Sequence, residues 1–284
     1  SKLSTKTITS EESEKLSKRV KKLMAADPDL LTAFVLPELK CPKKIELYSR
    51  FLCLLYGIDD RIDEVDIFKP IENAFKINDI NHSDEIFFKS NKTLKKIAFQ
   101  HDQLIQQIGL TMGGIPKDVE HEIEHYRNTL YRDGAPNDEL DTETKCYIEM
   151  FNDIWTESMD LFGHSPKIIA ELKSEWLRYL CHGLSEKVGD KERLNQTLAH
   201  MKQLEYKISP PKEYKNMATY LDARLNGGAI KLSLDLAFYL NGLDPSERSQ
   251  IYITAANQIA ISNDIISWPK EYYQSDNACQ ILRY

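Results

Sequence analysis

The sequence predicts an all-α protein, and three observations support that prediction. Gly and Pro number only 11 each among 284 residues, so long stretches run without a helix-breaking residue. Along most of the chain, apolar residues recur at intervals of three and four, which is the spacing of one helix face. Runs that alternate apolar and polar residues, which are typical of strands, are scarce. Helices of the lengths indicated can enclose a cavity.

Six segments have this helical spacing. The first carries apolar side chains at Tyr48, Leu52, Leu55 and Ile62. The others repeat the pattern over 15 to 29 residues. The predicted helices are residues 43–64, 140–161, 168–188, 192–206, 214–240 and 245–273.

Residues 65–134 are less regular. Polar clusters lie at 78–83 and 90–92, and a run of Gly113, Gly114, Ile115 and Pro116 follows. We therefore expect short helices and loops here, forming an insertion or a flap within a single domain of residues 1–284. The start of the chain is rich in Ser, Thr and Lys, and we expect it to fray.

Composition excludes several classes of function. The net charge is −7 and the isoelectric point is about 5.6, which argues against a nucleic-acid binder that neutralises phosphates. No apolar run approaches the roughly 20 residues that span a bilayer. The five cysteines are scattered and odd in number, which favours a reducing, cytoplasmic location and excludes a disulfide framework.

An acidic cluster ends the first predicted helix. Asp59, Asp60 and Asp63 directly follow the apolar run of residues 51–58. On a helix, Asp59 and Asp63 lie one turn apart on the same face. Two carboxylates so placed can bind magnesium, particularly when phosphate oxygens complete its octahedral shell. The alternative is a solvated acidic helix end, but the preceding apolar run places the carboxylates at the mouth of something buried.

A second set of oxygen ligands lies on the last predicted helix. Asn263, Ser267 and Glu271 have the spacing i, i+4, i+8, which places an amide, a hydroxyl and a carboxylate on one stripe. Three such oxygens can bind one hard cation and leave positions for water and phosphate. A polar surface stripe is the alternative, and it fits poorly because four isoleucines and Trp268 surround the motif.

Together, the two motifs resemble those of class I terpene synthases, of the microbial type with a single α domain. That family has an aspartate-rich DDxxD motif and an NSE motif at the mouth of an α-helical barrel around an apolar cavity. The resemblance implies that these residues bind three Mg²⁺ ions, or Mn²⁺, which hold and ionise an isoprenoid diphosphate. The matched order extends from the acidic cluster at residue 59 to Glu271, most of the chain.

A third segment, residues 220–228, resembles the family's diphosphate sensor and effector region. The resemblance implies that Arg224 senses diphosphate, that Gly228 lies at a helix break and that Gly227 is the linker. Lys270 matches a position where the family often has a basic residue facing the diphosphate. An arginine offers two parallel donors to phosphate, and a lysine offers a point charge.

The resemblance implies a terpene cyclase, a lyase that converts farnesyl or geranylgeranyl diphosphate to a cyclic terpene and releases diphosphate. We expect a small-molecule substrate, no nucleic-acid partner and no membrane-spanning segment. We expect the protein to be a monomer or a homodimer. The carbocation needs a dry, aromatic cavity, because aromatic faces stabilise cations. Phe51, Tyr56 and Trp268 are the candidate cavity residues, and plain core packing is the alternative for each.

Two features depart from the family pattern. The separation of Asp59 from Asn263 is longer than the family's, and an insertion at residues 65–134 would account for it. The family also continues well past its NSE motif, whereas this chain stops at Tyr284. We therefore expect C-terminal helices to be missing, and a true fragment to be open to water and nearly inactive. Pro269, inside the second motif, predicts a kink.

Other functions remain open on sequence grounds. His121, Glu122 and His125 match the HExxH pattern of zinc metallopeptidases, although no third ligand is indicated. The segment from Asn152 to Asp160 faintly echoes the second metal motif, and we interpret it as an ordinary outer helix. A prenyl-chain-elongating synthase would need two aspartate-rich motifs, and only one is present. A non-catalytic helical interaction protein is the remaining alternative.

Overall fold

The computed structural model describes residues 17, 21, 27–63, 66–76, 83–203, 207–209, 214–245 and 250–274. These residues form helices and their connections, with no strand among them, which confirms the all-α prediction. In the described part the helices are α1 (Pro28–Val35), α2 (Pro42–Asp63), α3 (Lys69–Lys76), α4 (Ser83–Thr111), α5 (Lys117–Leu130), α6 (Thr142–Phe162), α7 (Pro166–Lys202), α8 (Met217–Gly227), α9 (Ile230–Leu240) and α10 (Gln250–Gln274).

Helix α7 is the centre of the arrangement. It has 37 residues, a length of roughly 55 Å, and packs against α4, α5, α6, α8 and α9. It begins at Pro166, where the missing N–H of proline costs no helical hydrogen bond. The sequence predicted two helices here, but one helix runs through Gly189 without interruption. Packing on five neighbours offsets the weak helix propensity of that glycine.

The hydrophobic core is concentrated around Trp176 of α7. Its ring meets Phe51 of α2 edge-on, with the ring centroids 5.5 Å apart, and Phe151 of α6 at 5.0 Å. Phe151 in turn stacks on Trp155. Phe51 and Phe151 are completely buried. This aromatic cluster joins α2, α6 and α7 and so fixes the position of the acidic end of α2.

The stretch of residues 83–111 differs from the expectation of short helices and loops. It forms α4, a continuous helix of 29 residues that packs along α7 and α6. Its apolar face is real, since Leu94, Ala98, Ile105 and Ile108 are all buried. That face also buries polar side chains, which weakens the apolar periodicity, and this is why the prediction was wrong. Whether residues 65–134 are an insertion relative to the family stays a prediction.

The predicted helix at 214–240 is divided into α8 and α9. Gly228 ends α8, and Ala229 adopts a left-handed backbone conformation with φ of 51° before α9 begins. A left-handed residue other than glycine costs roughly 1–2 kcal/mol, so the break is imposed by the surrounding packing. Ala229 is buried, which agrees with that explanation.

The structure also bears on two predictions made from composition, which concern membrane-spanning helices and disulfides. Within the described ranges, none of the helices has both the length and the apolar character needed to cross a bilayer. Cys41, Cys53, Cys146 and Cys181 are thiols rather than members of disulfides. The fifth cysteine, at position 279, lies outside the described residues.

Two glycines of α7 provide a matched test of this packing. A Cβ at Gly183 would lie 2.6 Å from Cδ1 of Ile62 and 2.9 Å from Nε2 of His101, whereas a Cβ at Gly189 would meet nothing within 4 Å. Gly189→Ala should raise the free energy of unfolding by about 1 kcal/mol through helix propensity. Gly183→Ala should lower it, because overpacking costs about 1–3 kcal/mol.

Urea unfolding of both variants and the wild type would measure these changes. The slope of the free energy against urea should stay constant, so the midpoints report stability alone. If Gly183→Ala stabilises the protein as much as Gly189→Ala does, the close approach of α2 to α7 is not as described.

Candidate metal and diphosphate site

The acidic cluster forms the C-terminal end of α2, as predicted. Asp59 is exposed and Asp60 is partly exposed, while the side chain of Asp63, the last residue of the helix, lies outside the described part. One turn earlier, Tyr56 is half-buried. Burial raises the pKa of Tyr56, and the charge of Asp59 raises it further, which indicates that this carboxylate lies close to the phenol.

Arg61, in the middle of the motif, points towards α6 and α4. Its Nη2 donates to Oδ2 of Asp141 at 2.6 Å, and its Nη1 donates to the hydroxyl of Thr144. Asp141 also caps α6, and the buried Gln100 of α4 accepts from its backbone N–H at 3.0 Å. The arginine of the motif therefore ties α2 to its neighbours.

Helix α7 supports the same end of α2 from the other side. Nζ of Lys187 lies 3.2 Å from the carbonyl oxygen of Ile62 and 2.8 Å from Oδ2 of Asp190. The lysine is buried, and its charge lies at the C-terminal end of α2, where a cation stabilises the helix dipole. Gly183, one turn before it on α7, allows the side chain of Ile62 to approach closely.

The next contact joins α7 to the end of α8. A Cβ at Gly227 would lie 2.2 Å from Cδ2 of His182, so only glycine fits there without movement. Nε2 of His182 lies 3.3 Å from Oε1 of Glu186, one turn along α7. Desolvation raises the pKa of Glu186, but the bond to His182 and the charges of Lys187 and Arg224 outweigh it, so that the pKa is lowered. Glu186 thus lies within electrostatic range of the predicted sensor arginine.

Arg224 connects α8 to α10. Its Nε donates to Oδ1 of Asp264 at 2.7 Å, and the hydroxyl of Tyr220 donates to Oδ2 of the same carboxylate. Asp264 and Tyr220 are buried, while the Arg224 side chain is 31% exposed. Asp264 directly follows Asn263, so the predicted sensor is bonded to the segment that carries the second metal motif.

The second motif lies on one continuous helix. Asn263, Ser267 and Glu271 all fall within α10, which continues through Pro269 to Gln274, so their i, i+4, i+8 spacing places them on one stripe. The side chains of these three residues, and that of Lys270, lie outside the described part. Their roles as ligands therefore stay predictions.

The donors present suit magnesium. Mg²⁺ prefers carboxylate and other oxygen ligands and needs few of them when phosphate is bound. An exposed aspartate at the end of α2 and a helical stripe of amide, hydroxyl and carboxylate meet that requirement. Among described side chains, no group of three or more His, Cys, Asp or Glu residues could hold a metal.

The aromatic candidates have different surroundings. Phe51 lies in the core against Trp176, as the core-packing alternative predicts, whereas Tyr56 is only partly buried at the edge of the same core. The side chain of Trp268 lies outside the described part. A groove of about 650 Å³ lies between α4 and residues 134–143, with Arg61 in its wall. Several lysines line this groove, so it is not the dry cavity that the sequence predicts. That cavity stays a prediction.

The decoy motifs lie on solvent-facing helix surfaces. His121, Glu122 and His125 are all exposed on α5, and no third metal ligand accompanies them among described residues. Asp153 and Asp160 are exposed on α6, and Oδ1 of Asn152 accepts from the hydroxyl of Thr111 at 2.6 Å. The polar residues of this segment therefore include exposed side chains of α6, while Ile154 and Trp155 of the same segment are buried in the core.

Comparison with known families agrees with this geometry. The family described as "Terpene synthase family 2, C-terminal metal binding" matches residues 117–284, more than half of the chain. The chain belongs to the terpene synthase family. The matched part of this terpene synthase includes Arg224, Asn263, Ser267 and Glu271, and it begins after Asp59. No curated protein and no solved structure matches the chain.

Four residues around the candidate site were not predicted from the sequence: Lys187, His182, Glu186 and Asp264. Lys187, His182 and Glu186 lie in the middle of α7 and carry no motif. The pairing of Asp264 with Tyr220 and Arg224 spans 44 and 40 residues of sequence. The only available signal was the i, i+4 spacing of Tyr220 and Arg224, which places them on one face of α8.

A buried histidine beneath the site should make stability depend on pH. Nε2 of His101 lies 2.7 Å from the carbonyl oxygen of Leu180. Burial, together with the charges of Arg61 and Lys187, lowers the pKa of His101 to about 4, although the bond to Leu180 opposes the shift. Between pH 6.5 and 4 the unfolded chain binds more protons at this residue, so acid should destabilise the fold by up to about 3 kcal/mol.

His101→Gln should remove this part of the pH dependence, while the exposed His121→Gln should leave it unchanged. Urea unfolding at pH 7.5 and pH 4.5 would measure the loss of stability in each protein. Equal losses in the wild type and His101→Gln would contradict a neutral, buried histidine at this position.

Proposed function

We propose that this terpene synthase is a class I terpene cyclase acting on farnesyl or geranylgeranyl diphosphate. The observation that carries the proposal is the ion pair between Arg224 and Asp264, since it brings the predicted sensor against the helix with the second metal motif. The family match supports metal-dependent chemistry. The helix break at Gly228 and Ala229 lies where the effector position of such enzymes is expected.

The two metal motifs have separate proposed tasks. Asp59 and Asp63, with Asp60 beside them, would hold the first pair of Mg²⁺ ions at the end of α2. Asn263, Ser267 and Glu271 would hold the third. Bound Mg²⁺ would neutralise negative charge on the diphosphate oxygens as the carbon–oxygen bond breaks. Mn²⁺ could serve with the same oxygen ligands.

The remaining chemistry is assigned to the chain's own residues. The allylic carbon–oxygen bond breaks, and its electron pair leaves with the diphosphate. Arg224 and Lys270 would bind the departing oxygens by charge-assisted hydrogen bonds. An intramolecular double bond then attacks the cation, and loss of a proton or addition of water ends the reaction. Aromatic faces such as that of Tyr56 would stabilise the cation while the helices exclude bulk water.

Product analysis tests the function directly. We expect incubation with the C15 or the C20 diphosphate and Mg²⁺ to yield a cyclic terpene, detected by gas chromatography with mass spectrometry. The C10 diphosphate and a reaction with chelator serve as controls. A cyclic product that forms equally well without a divalent cation would contradict the proposed ionisation, and so would the absence of a cyclic product from both the C15 and the C20 diphosphate.

Two substitutions test the metal motifs. Asp59→Ala and Asn263→Ala should each lower turnover at least about tenfold, which corresponds to about 1.4 kcal/mol of barrier, because each removes an oxygen ligand. Asn152→Ala is the matched control, since it alters the echo motif on α6 and should keep turnover within about twofold. Unchanged kinetics in both Asp59→Ala and Asn263→Ala would defeat the assignment.

A further inference from the structure

Each oxygen of the Asp264 carboxylate accepts a hydrogen bond from a different side chain of α8. Oδ1 accepts from Nε of Arg224 at 2.7 Å, and Oδ2 accepts from the hydroxyl of Tyr220. The side chain of Asp264 is only 6% exposed. A carboxylate this deeply buried needs its charge compensated, and these two donors supply the compensation.

This division of the oxygens limits how Arg224 can bind. An arginine and a carboxylate often form a two-pronged pair, in which two guanidinium nitrogens contact both oxygens. Here the guanidinium bonds to Oδ1 through Nε, while the Tyr220 hydroxyl bonds to Oδ2. The two terminal nitrogens, Nη1 and Nη2, are left to bind something else. With 31% of its side chain exposed, Arg224 can present them to a ligand.

The helix that carries both donors is well anchored. Tyr220 and Arg224 are one turn apart on α8, and so share a face. Asn216 and Thr219 form a reciprocal capping box at the start of that helix. At its other end, Gly227 fits against His182 of α7. The donors therefore approach Asp264 from a fixed direction.

We propose that Asp264 and Tyr220 are positioning residues, which hold the Arg224 guanidinium by its Nε so that both terminal nitrogens can bind the substrate diphosphate. The inference rests on the proposed function and names two residues that the metal motifs do not include. By bonding to Oδ2 of Asp264, the tyrosine would disfavour a second bond from a terminal nitrogen of Arg224 to this carboxylate. The aspartate fixes the guanidinium plane and balances its charge before substrate binds.

Binding of inorganic diphosphate tests this arrangement without requiring turnover. Titration calorimetry in the presence of Mg²⁺ would give the dissociation constant for the wild type, Arg224→Ala, Asp264→Ala and the double variant. We expect each single variant to bind about tenfold more weakly or worse, since a charged hydrogen bond is lost or misaligned. Because Asp264 acts through Arg224, the double variant should bind no more weakly than Arg224→Ala.

A purely structural role for Asp264 gives a different result. The two losses would then multiply in the double variant, because independent effects add in free energy. Asp264→Asn is the conservative test, since its Oδ1 can still accept from Nε of Arg224 while its amide faces the Tyr220 oxygen. It should bind diphosphate more tightly than Asp264→Ala does, and urea unfolding would confirm that each variant is folded.

The tyrosine has a matched control in the same helix pair. Tyr252 of α10 donates its hydroxyl to the buried Asp235 of α9, which is a second tyrosine–aspartate bond. Tyr220→Phe frees Oδ2 of Asp264, so Arg224 can form the two-pronged pair and diphosphate should bind several-fold more weakly. Tyr252→Phe should destabilise the fold by a similar amount but leave the dissociation constant unchanged.

The outcomes separate the two proposals. If the wild type binds diphosphate with Mg²⁺ and Asp264→Ala binds as tightly, the positioning role is overturned while the proposed function stands. Multiplied losses in the double variant, or equal weakening by Tyr220→Phe and Tyr252→Phe, overturn it as well. If the wild type itself shows no binding of diphosphate with Mg²⁺, the proposed function fails and the positioning role fails with it.

Discussion

The candidate site depends on how closely two helix ends approach the middle of α7. Gly183 admits Ile62 from the end of α2, and His182 fills the space beside Gly227 at the end of α8. These contacts come from adjacent residues of one helix, so α7 sets the separation between the acidic cluster and the sensor. Helix α7 is long and packs against five other helices, so it is a rigid support for both helix ends.

The buried charged side chains at the ends of α2 and α8 are paired with groups of opposite charge. Lys187 bonds to Asp190 and to the end of α2, and Arg224 bonds to the buried Asp264. Each buried charge therefore has a partner, as burial in a low-dielectric interior requires. Asp59, near the end of α2, is exposed, as its predicted role as a metal ligand requires.

Periodicity predicted most of the fold, and motif order predicted the family. The long apolar stripes of α2, α6 and α10 could be recognised in the sequence because few polar residues interrupt them. The helical pattern of α4 was not recognised, since Gln100, His101 and Asp102 are buried, and their partners are supplied by other parts of the chain. The site residues on α7 were hidden for a related reason. Sequence spacing shows what one helix presents, but it does not show which distant residue will meet it.

The bond to Asp264 has a consequence for the residues that flank it. Successive residues on a helix are rotated by about 100°, so Asp264 lies roughly 100° around the axis from Asn263 and roughly 60° from Ser267, and close to the direction of Glu271. By binding α8 through Asp264, α10 fixes its own rotation about its axis. The direction of the proposed ligand stripe would then be set by a residue that is not itself a proposed ligand. A single buried carboxylate would thus align the predicted sensor and the predicted second metal motif together.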